Sequence, residues 1–382
     1  MATQHDPMEN SVLRRILSAQ RHQREYSDES VRLVRDHFNE LAAYQYEHII
    51  GRGVYGVAYS IIKKHRFSKR TKRFVVKRAQ IERAKPELRH EINMMSRLNG
   101  SAHIARVIAA KDDENEQNEQ RRPGIFRRMV ARVMRRRKDI LAGLPGPTLV
   151  LEHLENGTAT DLMGVLSVRN RTLPNRVLWS FYLCLARACV AMKFPPEKPL
   201  GTKPTIEEIP EDQSTAGNIV HNDMHGGNVL IGALRDFPEH TTVPPLKLID
   251  FGLSFVDAEK SEQLNILAAS KQIYYLITRR YIVLEVQNKY YNGIITMATD
   301  ILPSSNGDAR FPTLDNDLRD LLARCLATDE ADRPRLAEVL AICKNAVETK
   351  TPGSYGDNAP QETDYWIGRL LQEVIYDANQ AP

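Results

Sequence analysis

The spacing of apolar residues changes near Leu154, and this change most constrains the fold. Before it, short runs of β-branched and aromatic residues follow one another: YEHII, VAYSIIKK, RFVVKR, HIARVIAA and TLVLEHL. One helix interrupts these runs, with Pro86 in its first turn. After Leu154, apolar residues recur at helical spacing, as in residues 174–193. Strands followed by helices are typical of the α+β class, so we expect a small five-stranded unit and a mainly helical one.

Length and composition exclude several classes of protein. A chain of 382 residues corresponds to two or three structural units. With 42% hydrophobic and 26% charged residues, neither a disordered chain nor a membrane bundle is expected. No apolar run reaches about 18 residues and the N-terminus lacks an apolar signal core, so no transmembrane helix is expected.

The cysteines indicate the compartment. None of the four, Cys184, Cys189, Cys325 and Cys343, is in CxxC spacing, which argues against a zinc knuckle and a disulfide framework. We therefore expect a reducing, intracellular environment, in the cytoplasm, the nucleus or both.

Two terminal segments and one insertion lie outside the main pattern. Residues 1–43 are predicted to be a helical extension that packs through an apolar face, and residues 351–382 a tail with a short helix. The insertion, at about residues 111–147, contains nine Lys or Arg and no acid within 121–138. Residues 121–139 have a net charge of +8 against +5 for the whole chain, so the remainder is net negative. The basic segment is either a solvated surface helix or a contact for an acidic protein, membrane or nucleic acid.

The first polar motif is a glycine turn. Gly51, Gly53 and Gly56 form the pattern GxGxxG, and Gly56 leads into a β-branched run and not into a helix. A glycine turn between strands can lay backbone N–H groups over a phosphate chain, although an ordinary glycine hairpin has the same pattern.

A charged pair is expected after this turn. Lys77 ends the apolar run FVVK, where it can reach a phosphate or, alternatively, extend its ammonium to solvent from a sheet edge. Glu91 on the following helix can hold the ammonium, and Glu87, one turn earlier, competes for this role. We prefer Glu91 because the helix continues from it with apolar residues.

Two further motifs end short apolar strands: His221-Asn222-Asp223-Met224-His225-Gly226-Gly227-Asn228 and Asp250-Phe251-Gly252. An acid at the end of a buried strand costs free energy unless it has a partner. Asp223 can accept a hydroxyl proton, and Asn228 and Asp250 offer the hard oxygen ligands that Mg²⁺ prefers. Taken singly, each acid is also consistent with a cap in a turn.

In this order and spacing the motifs resemble the protein-kinase-like superfamily, over about residues 44–347. The resemblance implies a bilobal protein-kinase-like fold with an N-lobe at 44–154 and a C-lobe at 155–350. It implies ATP and Mg²⁺ as cofactors and transfer of the γ-phosphate to Ser or Thr hydroxyls of a protein. The implied catalytic residues are Asp223 as base, Lys77 with Glu91 as ion pair, and His225 as a further donor; the implied metal ligands are Asn228 and Asp250. The implied nucleotide-binding positions are Ile50, Gly51, Gly53, Gly56, Ala58, Val75, Lys77, Leu151, Glu152, Leu154 and Leu230.

Several departures from the family pattern leave the acceptor open. Asn222 replaces an arginine that grips an activation-loop phosphate in the family, and His225 replaces a lysine. Only about a dozen residues separate Gly252 from the next helix, the APE motif is absent, and Asn265 takes the place of a bracing aspartate. These features are similar to those of aminoglycoside phosphotransferases and atypical kinases. A small-molecule kinase and a pseudokinase scaffold therefore remain alternatives.

The C-terminal part again resembles protein kinases. Residues 318–340 read LxxLLxxCLxxDxxxRPxLxEVL, similar to the last two helices of that family, although a generic amphipathic helix pair has a similar pattern. The family's partner for Arg333 is the glutamate of the absent APE motif, and the sequence identifies no replacement.

The two interpretations of residues 121–138 differ in a measurable respect. A contact segment predicts association with vesicles of anionic lipid or with a polyanion that weakens as salt is added, because exposed charges are screened. Deleting 121–138 should then abolish the association. If the deletion leaves binding unchanged, the contact interpretation is excluded.

Overall fold

A computed structural model describes eight stretches of the chain: residues 29–52, 56–65, 68–79, 81–112, 140–212, 216–282, 288–304 and 306–378. The chain divides into two compact units, Met1–Asn93 with Val107–His153, and Met94–Arg106 with Leu154–Pro382. Residues 1–28 of the predicted N-terminal extension, Gly53 and the basic segment 121–138 lie outside the described stretches. No helix within those stretches combines the length and apolar character that a membrane span requires.

The first unit is built on one antiparallel sheet of five strands. The strands are β1 (Tyr44–Arg52), β2 (Gly56–His65), β3 (Ser68–Ala79), β4 (Val107–Lys111) and β5 (Thr148–Glu152), in the spatial order β1-β2-β3-β5-β4. All five apolar runs identified in the sequence contribute a strand. The predicted α+β class and the five strands are confirmed.

One face of the sheet carries the hydrophobic core of this unit. Residues 29–40 form helix α1, which packs Val34 and Phe38 into that core. The hydroxyl of Tyr59 donates to Ser30 Oγ at 2.8 Å and ties the start of α1 to β2. The sheet residues of the core are Val57, Tyr59, Ile61, Phe74, Val76 and Val150. The apolar face predicted for the end of the N-terminal extension is therefore a packing face.

The opposite face of the same sheet carries the charged candidate residue. Side chains alternate along a strand, and directly paired residues of neighbouring strands share a face. Lys77 pairs with Ala58 on one side and with Leu149 on the other, and Val75 pairs with Leu151. Helix α2 (Lys85–Arg97) follows β3, with Pro86 in its first turn as predicted.

The second unit is mainly helical, as the sequence predicts. Its helices are α3 (Ala159–Val168), α4 (Asn175–Lys193), α5 (Ser261–Thr278), α6 (Asn316–Cys325), α7 (Leu336–Thr349) and α8 (Asp364–Leu371). Helix α4 is buried on all sides from Val177 to Met192, which matches its apolar sequence. Residues 94–106 belong to this unit because, for example, Ala105 N–H donates to Leu248 O at 3.0 Å.

Short strand pairs surround the polar motifs of the second unit. β6 (Ile219–Val220) pairs with β9 (Phe255–Val256), and β7 (Val229–Ile231) pairs with β8 (Leu246–Leu248). A further hairpin, β10 (Lys289–Tyr291) with β11 (Ile294–Thr296), was not predicted from the sequence.

The C-terminal tail is part of the second unit's core. Residues Pro352–Glu362, predicted to be loop-like, form 3₁₀ turns that lead to α8. Buried Glu362 accepts hydrogen bonds from the backbone N–H groups of Asn175 and Arg176, at 2.7 and 2.9 Å. These are N–H groups that lack partners within helix α4, so the tail caps that helix.

The packing of α1 predicts that it stabilises the sheet. Phe38→Ala should lower the local stability by about 3–5 kcal/mol, because it opens a cavity at a fully buried aromatic ring. The measurement is amide hydrogen exchange of β2 and β3, which should speed up. Leu33→Ala is the control, since Leu33 on the same helix is 40% exposed and should change little. Unchanged exchange in Phe38→Ala would contradict this role of α1.

Candidate functional site

The first unit holds a buried ion pair between β3 and α2. Lys77 Nζ lies 2.9 Å from Glu91 Oε1 and 2.7 Å from Oε2. The Glu91 side chain is 3% exposed and that of Lys77 is 22% exposed. Of the two acids considered from the sequence, Glu91 is the one that the structure pairs with Lys77. A carboxylate so buried needs this cation, because removing one partner of a buried pair is strongly destabilising.

The glycine turn lies between β1 and β2. Gly51 is close to the end of β1 and Gly56 begins β2, whereas Gly53 lies outside the described residues. A Cβ at Gly56 would approach the backbone oxygen of Arg78 to 2.5 Å, so close strand packing requires glycine there. A Cβ at Gly51 would meet no atom within 4 Å, so there is open space at the end of β1.

The candidate nucleotide positions fall in both units. Ala58, Val75 and Leu151 share the face of the sheet that carries Lys77. Ile50 lies on β1 and is 45% exposed, and Glu152 is the last residue of β5. The remaining two positions, Leu154 and Leu230, belong to the second unit.

The loop 221–228 of the second unit brings Asp223, His225 and Asn228 together, whereas the other catalytic candidates, Lys77 and Glu91, belong to the first unit. Asn228 Nδ2 donates to Asp223 O at 2.9 Å and to Asp223 Oδ2 at 3.0 Å. His225 Nε2 lies 3.6 Å from the same Oδ2, and His225 Nδ1 accepts from Gly227 N–H at 3.0 Å. In the neutral ring the proton is therefore on Nε2, which faces the carboxylate.

Pairing of β7 with β8 places Asp250 near this loop. Ile249 N–H donates to Asn228 O at 3.0 Å, so the residues that precede β7 and follow β8 are neighbours. Asp250 has φ of +64° and Asn222 has φ of +61°. Residues other than glycine adopt this left-handed conformation at a cost in free energy, and such residues cluster at functional sites.

Buried His221 contacts the backbone at both Asp223 and Ile249 and so holds the loop 221–228 in place. Its Nε2 lies 3.0 Å from Ile249 O, and its Nδ1 lies 3.3 Å from Asp223 N. A carbonyl only accepts and an amide N–H only donates, so the ring is neutral with its proton on Nε2. Burial lowers the pKa of His221 and keeps the ring in this form.

Asn265 on α5 braces the start of the loop. Its Oδ1 accepts from His221 N–H at 3.1 Å, and its Nδ2 donates to Ile219 O at 2.7 Å. The sequence analysis expected Asn265 in place of a bracing aspartate, and these two hydrogen bonds agree with that expectation. Gln272, which the sequence analysis missed, donates to Met224 O at 2.7 Å from two turns further along α5.

Arg333 has partners that the sequence did not identify. Its Nε donates to Ala327 O at 2.9 Å and its Nη2 to Thr328 O at 3.3 Å, so backbone carbonyls accept from it. Glu262 at the start of α5 accepts from Leu336 N–H at 2.8 Å and pairs with Lys193. Glu262 thereby caps α7, a role with no local signal in the sequence.

Because burial lowers the pKa of His221, the unfolded chain binds a proton there more readily than the folded chain. The stability that neutral His221 provides should be lost as the pH falls below 6.5 and through its lowered folded pKa. His221→Gln lacks this titration, so the difference in Tm between wild type and variant should shrink from pH about 7.5 to about 5.

The control is Val168→Gln at the end of α3, where the side chain is 88% exposed and neither residue has a titratable group. Its difference in Tm from wild type should stay constant over the same pH range. A constant difference for His221→Gln as well would contradict the neutral, buried role of His221.

Comparison with known proteins adds no assignment to this geometry. The chain matches no model of a known protein family, and it matches no curated protein sequence. Conclusions about function therefore rest on the residues and contacts described above.

Proposed function

We propose that this chain is an ATP- and Mg²⁺-dependent phosphotransferase whose two units are the lobes of a bilobal protein-kinase-like fold. The proposed acceptor is a Ser or Thr hydroxyl of a protein. The observation that carries the proposal is the loop 221–228, where Asn228 donates to one carboxylate oxygen of Asp223. No described residue donates a hydrogen bond to the other oxygen, Oδ1, which leaves it available to accept a hydroxyl proton.

The donor atoms of the second unit fit Mg²⁺. The amide of Asn228 donates through Nδ2, and its Oδ1 accepts no hydrogen bond from the described residues. Asp250 adds a carboxylate two residues beyond β8. Hard oxygen donors of this kind are the ligands that Mg²⁺ takes beside phosphate oxygens. When bound, the ion would neutralise charge on those oxygens.

The first unit offers groups suited to ATP. The ammonium of Lys77 is held by Glu91 and is the kind of charge that binds phosphates. The open space at Gly51 leaves room for a phosphate beside the end of β1. Ala58, Val75 and Leu151 provide an apolar surface on the same face of the sheet, suited to a purine ring.

In this proposal the chain acts by positioning and charge. Asp223 orients the acceptor hydroxyl and takes its proton, and Asn228 fixes the rotamer of Asp223. His225 Nε2 lies 3.6 Å from Asp223 Oδ2. His225 is therefore close to the proposed base, and it would serve as a further hydrogen-bond donor to the transferred phosphate. His221 and Asn265 hold the backbone of the loop that carries these residues.

A small-molecule kinase is a second candidate, favoured by the segment after Asp250. Only residues 253–260 separate Gly252 from α5, fewer than the dozen or so expected from the sequence. Two of them pair with β6, and Asp257 Oδ1 accepts from the N–H groups of Glu259 and Lys260, each at 2.9 Å. So short a segment leaves little backbone to bind an extended peptide.

The test follows ADP formation with ATP and Mg²⁺, and phosphate transfer to protein and small alcohol acceptors in the same samples. Asp223→Asn should reduce transfer about 10²–10⁴-fold, because it removes the proton acceptor while keeping the shape of the side chain. Asp308→Asn is the matched control, since Asp308 is exposed and lies outside the site. Asp250→Asn should raise the Mg²⁺ concentration needed for half-maximal activity.

The identity of the phosphate acceptor distinguishes a protein kinase from a small-molecule kinase. Asp223-dependent transfer to protein supports the proposal, and transfer to small alcohols alone supports the second candidate. If no acceptor receives phosphate in a reaction that requires Asp223, both candidates are overturned. The pseudokinase scaffold then remains as the explanation.

A further inference from the structure

Three potential metal ligands meet inside the second unit, apart from the loop 221–228. His103, Cys184 and His240 are each at most 1% exposed, and their ligand atoms all lie within 4.8 Å of one another. They come from three separate places: the segment before β4, the middle of α4, and the connection between β7 and β8. The proposed phosphotransferase function uses none of them.

Hydrogen bonds fix the orientation and tautomer of both rings. His103 Nδ1 lies 2.7 Å from Glu207 Oε2, and His240 Nδ1 lies 3.2 Å from Val243 O. An ionised carboxylate and a carbonyl only accept, so each Nδ1 carries a proton. In the neutral rings the lone pairs are therefore on the two Nε2 atoms.

If both rings are neutral, these two lone pairs face each other across 3.2 Å, the distance from His103 Nε2 to His240 Nε2. Two acceptors at this distance repel unless a cation, either a proton or a metal ion, lies between them. The Sγ of Cys184 lies 3.9 Å from His240 Nε2 and adds a third donor to the same place. A proton on one Nε2 also relieves this contact, but only a metal ion would use both nitrogens and the sulfur as ligands at once.

Two of the three separations between the donor atoms are close to those of a zinc centre. With Zn–N of about 2.0–2.1 Å and Zn–S of about 2.3 Å, tetrahedral geometry separates two nitrogens by about 3.3 Å and nitrogen from sulfur by about 3.6 Å. The observed separations of 3.2 and 3.9 Å are close to both values.

We propose that His103, Cys184 and His240 bind one Zn²⁺ ion. Glu207 and the carbonyl of Val243 orient the two imidazoles through their Nδ1–H groups, as carboxylates and carbonyls do around bound zinc. The Cys184 thiolate and the Glu207 carboxylate together offset the charge of the ion, so its burial does not leave an uncompensated charge. With three protein ligands, the fourth position is left to a water molecule.

Such an ion would join distant parts of the second unit. His103 belongs to the segment 94–106, and His240 to the connection that leads into β8, which ends shortly before Asp250. An ion that binds the folded chain alone stabilises it in proportion to its affinity. The cluster lies apart from the loop 221–228, so the inference stands whether or not the chain transfers phosphate.

The experiment uses the full chain purified without chelators. We expect about one zinc per chain by elemental mass spectrometry, and a fall in Tm when a strong chelator removes it, reversed by adding Zn²⁺. Replacement by Co²⁺ should produce a thiolate-to-metal charge-transfer band in the near ultraviolet. Cys184→Ser should abolish that band, and Glu207→Gln should weaken zinc binding about 10–100-fold.

Cys189→Ser is the matched control. Cys189 is also a buried thiol of α4, and burial raises its pKa to about 12, but it lies outside the cluster. It should retain zinc and the cobalt band. Measurements on the wild-type chain alone test the proposal if Cys184→Ser does not fold. A chain that binds no zinc in excess metal, or a cobalt derivative without a thiolate band, would overturn the proposal, and copper in place of zinc would overturn the choice of ion.

Discussion

Polar groups that leave water must find partners, and this requirement determines the arrangement of both units. In the first unit, Glu91 is nearly inaccessible and is balanced by Lys77, which fixes α2 against β3. In the second, buried Glu362 takes up the free N–H groups at the start of α4. His221 is buried under the candidate catalytic loop and is satisfied by a carbonyl on one side and an N–H on the other.

Apolar spacing predicted the secondary structure where elements are long. Helix α2 has Pro86 in its first turn as predicted, and α4 (Asn175–Lys193) lies within one residue of the predicted 174–193, because each buries a stripe or a whole surface. The hairpin at Lys289–Thr296 was missed, since strands of three residues are too short to show alternation. The 3₁₀ turns of the tail were missed because their Pro- and Gly-rich sequence also suits a loop.

The candidate site was predictable only where its residues are close in sequence or occupy a regular element. Asp223 and Asn228 lie in one motif, and Glu91 could be chosen from its position on a helix. The carbonyl partners of Arg333 and the cap that Glu262 provides depend on contacts between distant segments, which leave no periodic signal. The cluster of His103, Cys184 and His240 was missed for the same reason: spacing rules for metal sites apply to ligands near one another in the chain.

The position of Asn222 bears on how the proposed enzyme is regulated. The protein-kinase-like proteins that the sequence resembles have an arginine here that grips a phosphate. In this chain Asn222 Nδ2 donates to Leu253 O at 3.1 Å, in the segment after Asp250. The same segment pairs through β9 with β6 and joins α5, where Asn265 braces the loop. In the proposed kinase-like fold, neutral hydrogen bonds and strand pairing would take the place of such a phosphate–arginine contact. A segment held in this way is ordered by folding itself, so catalysis in the proposed enzyme would not depend on phosphorylation there.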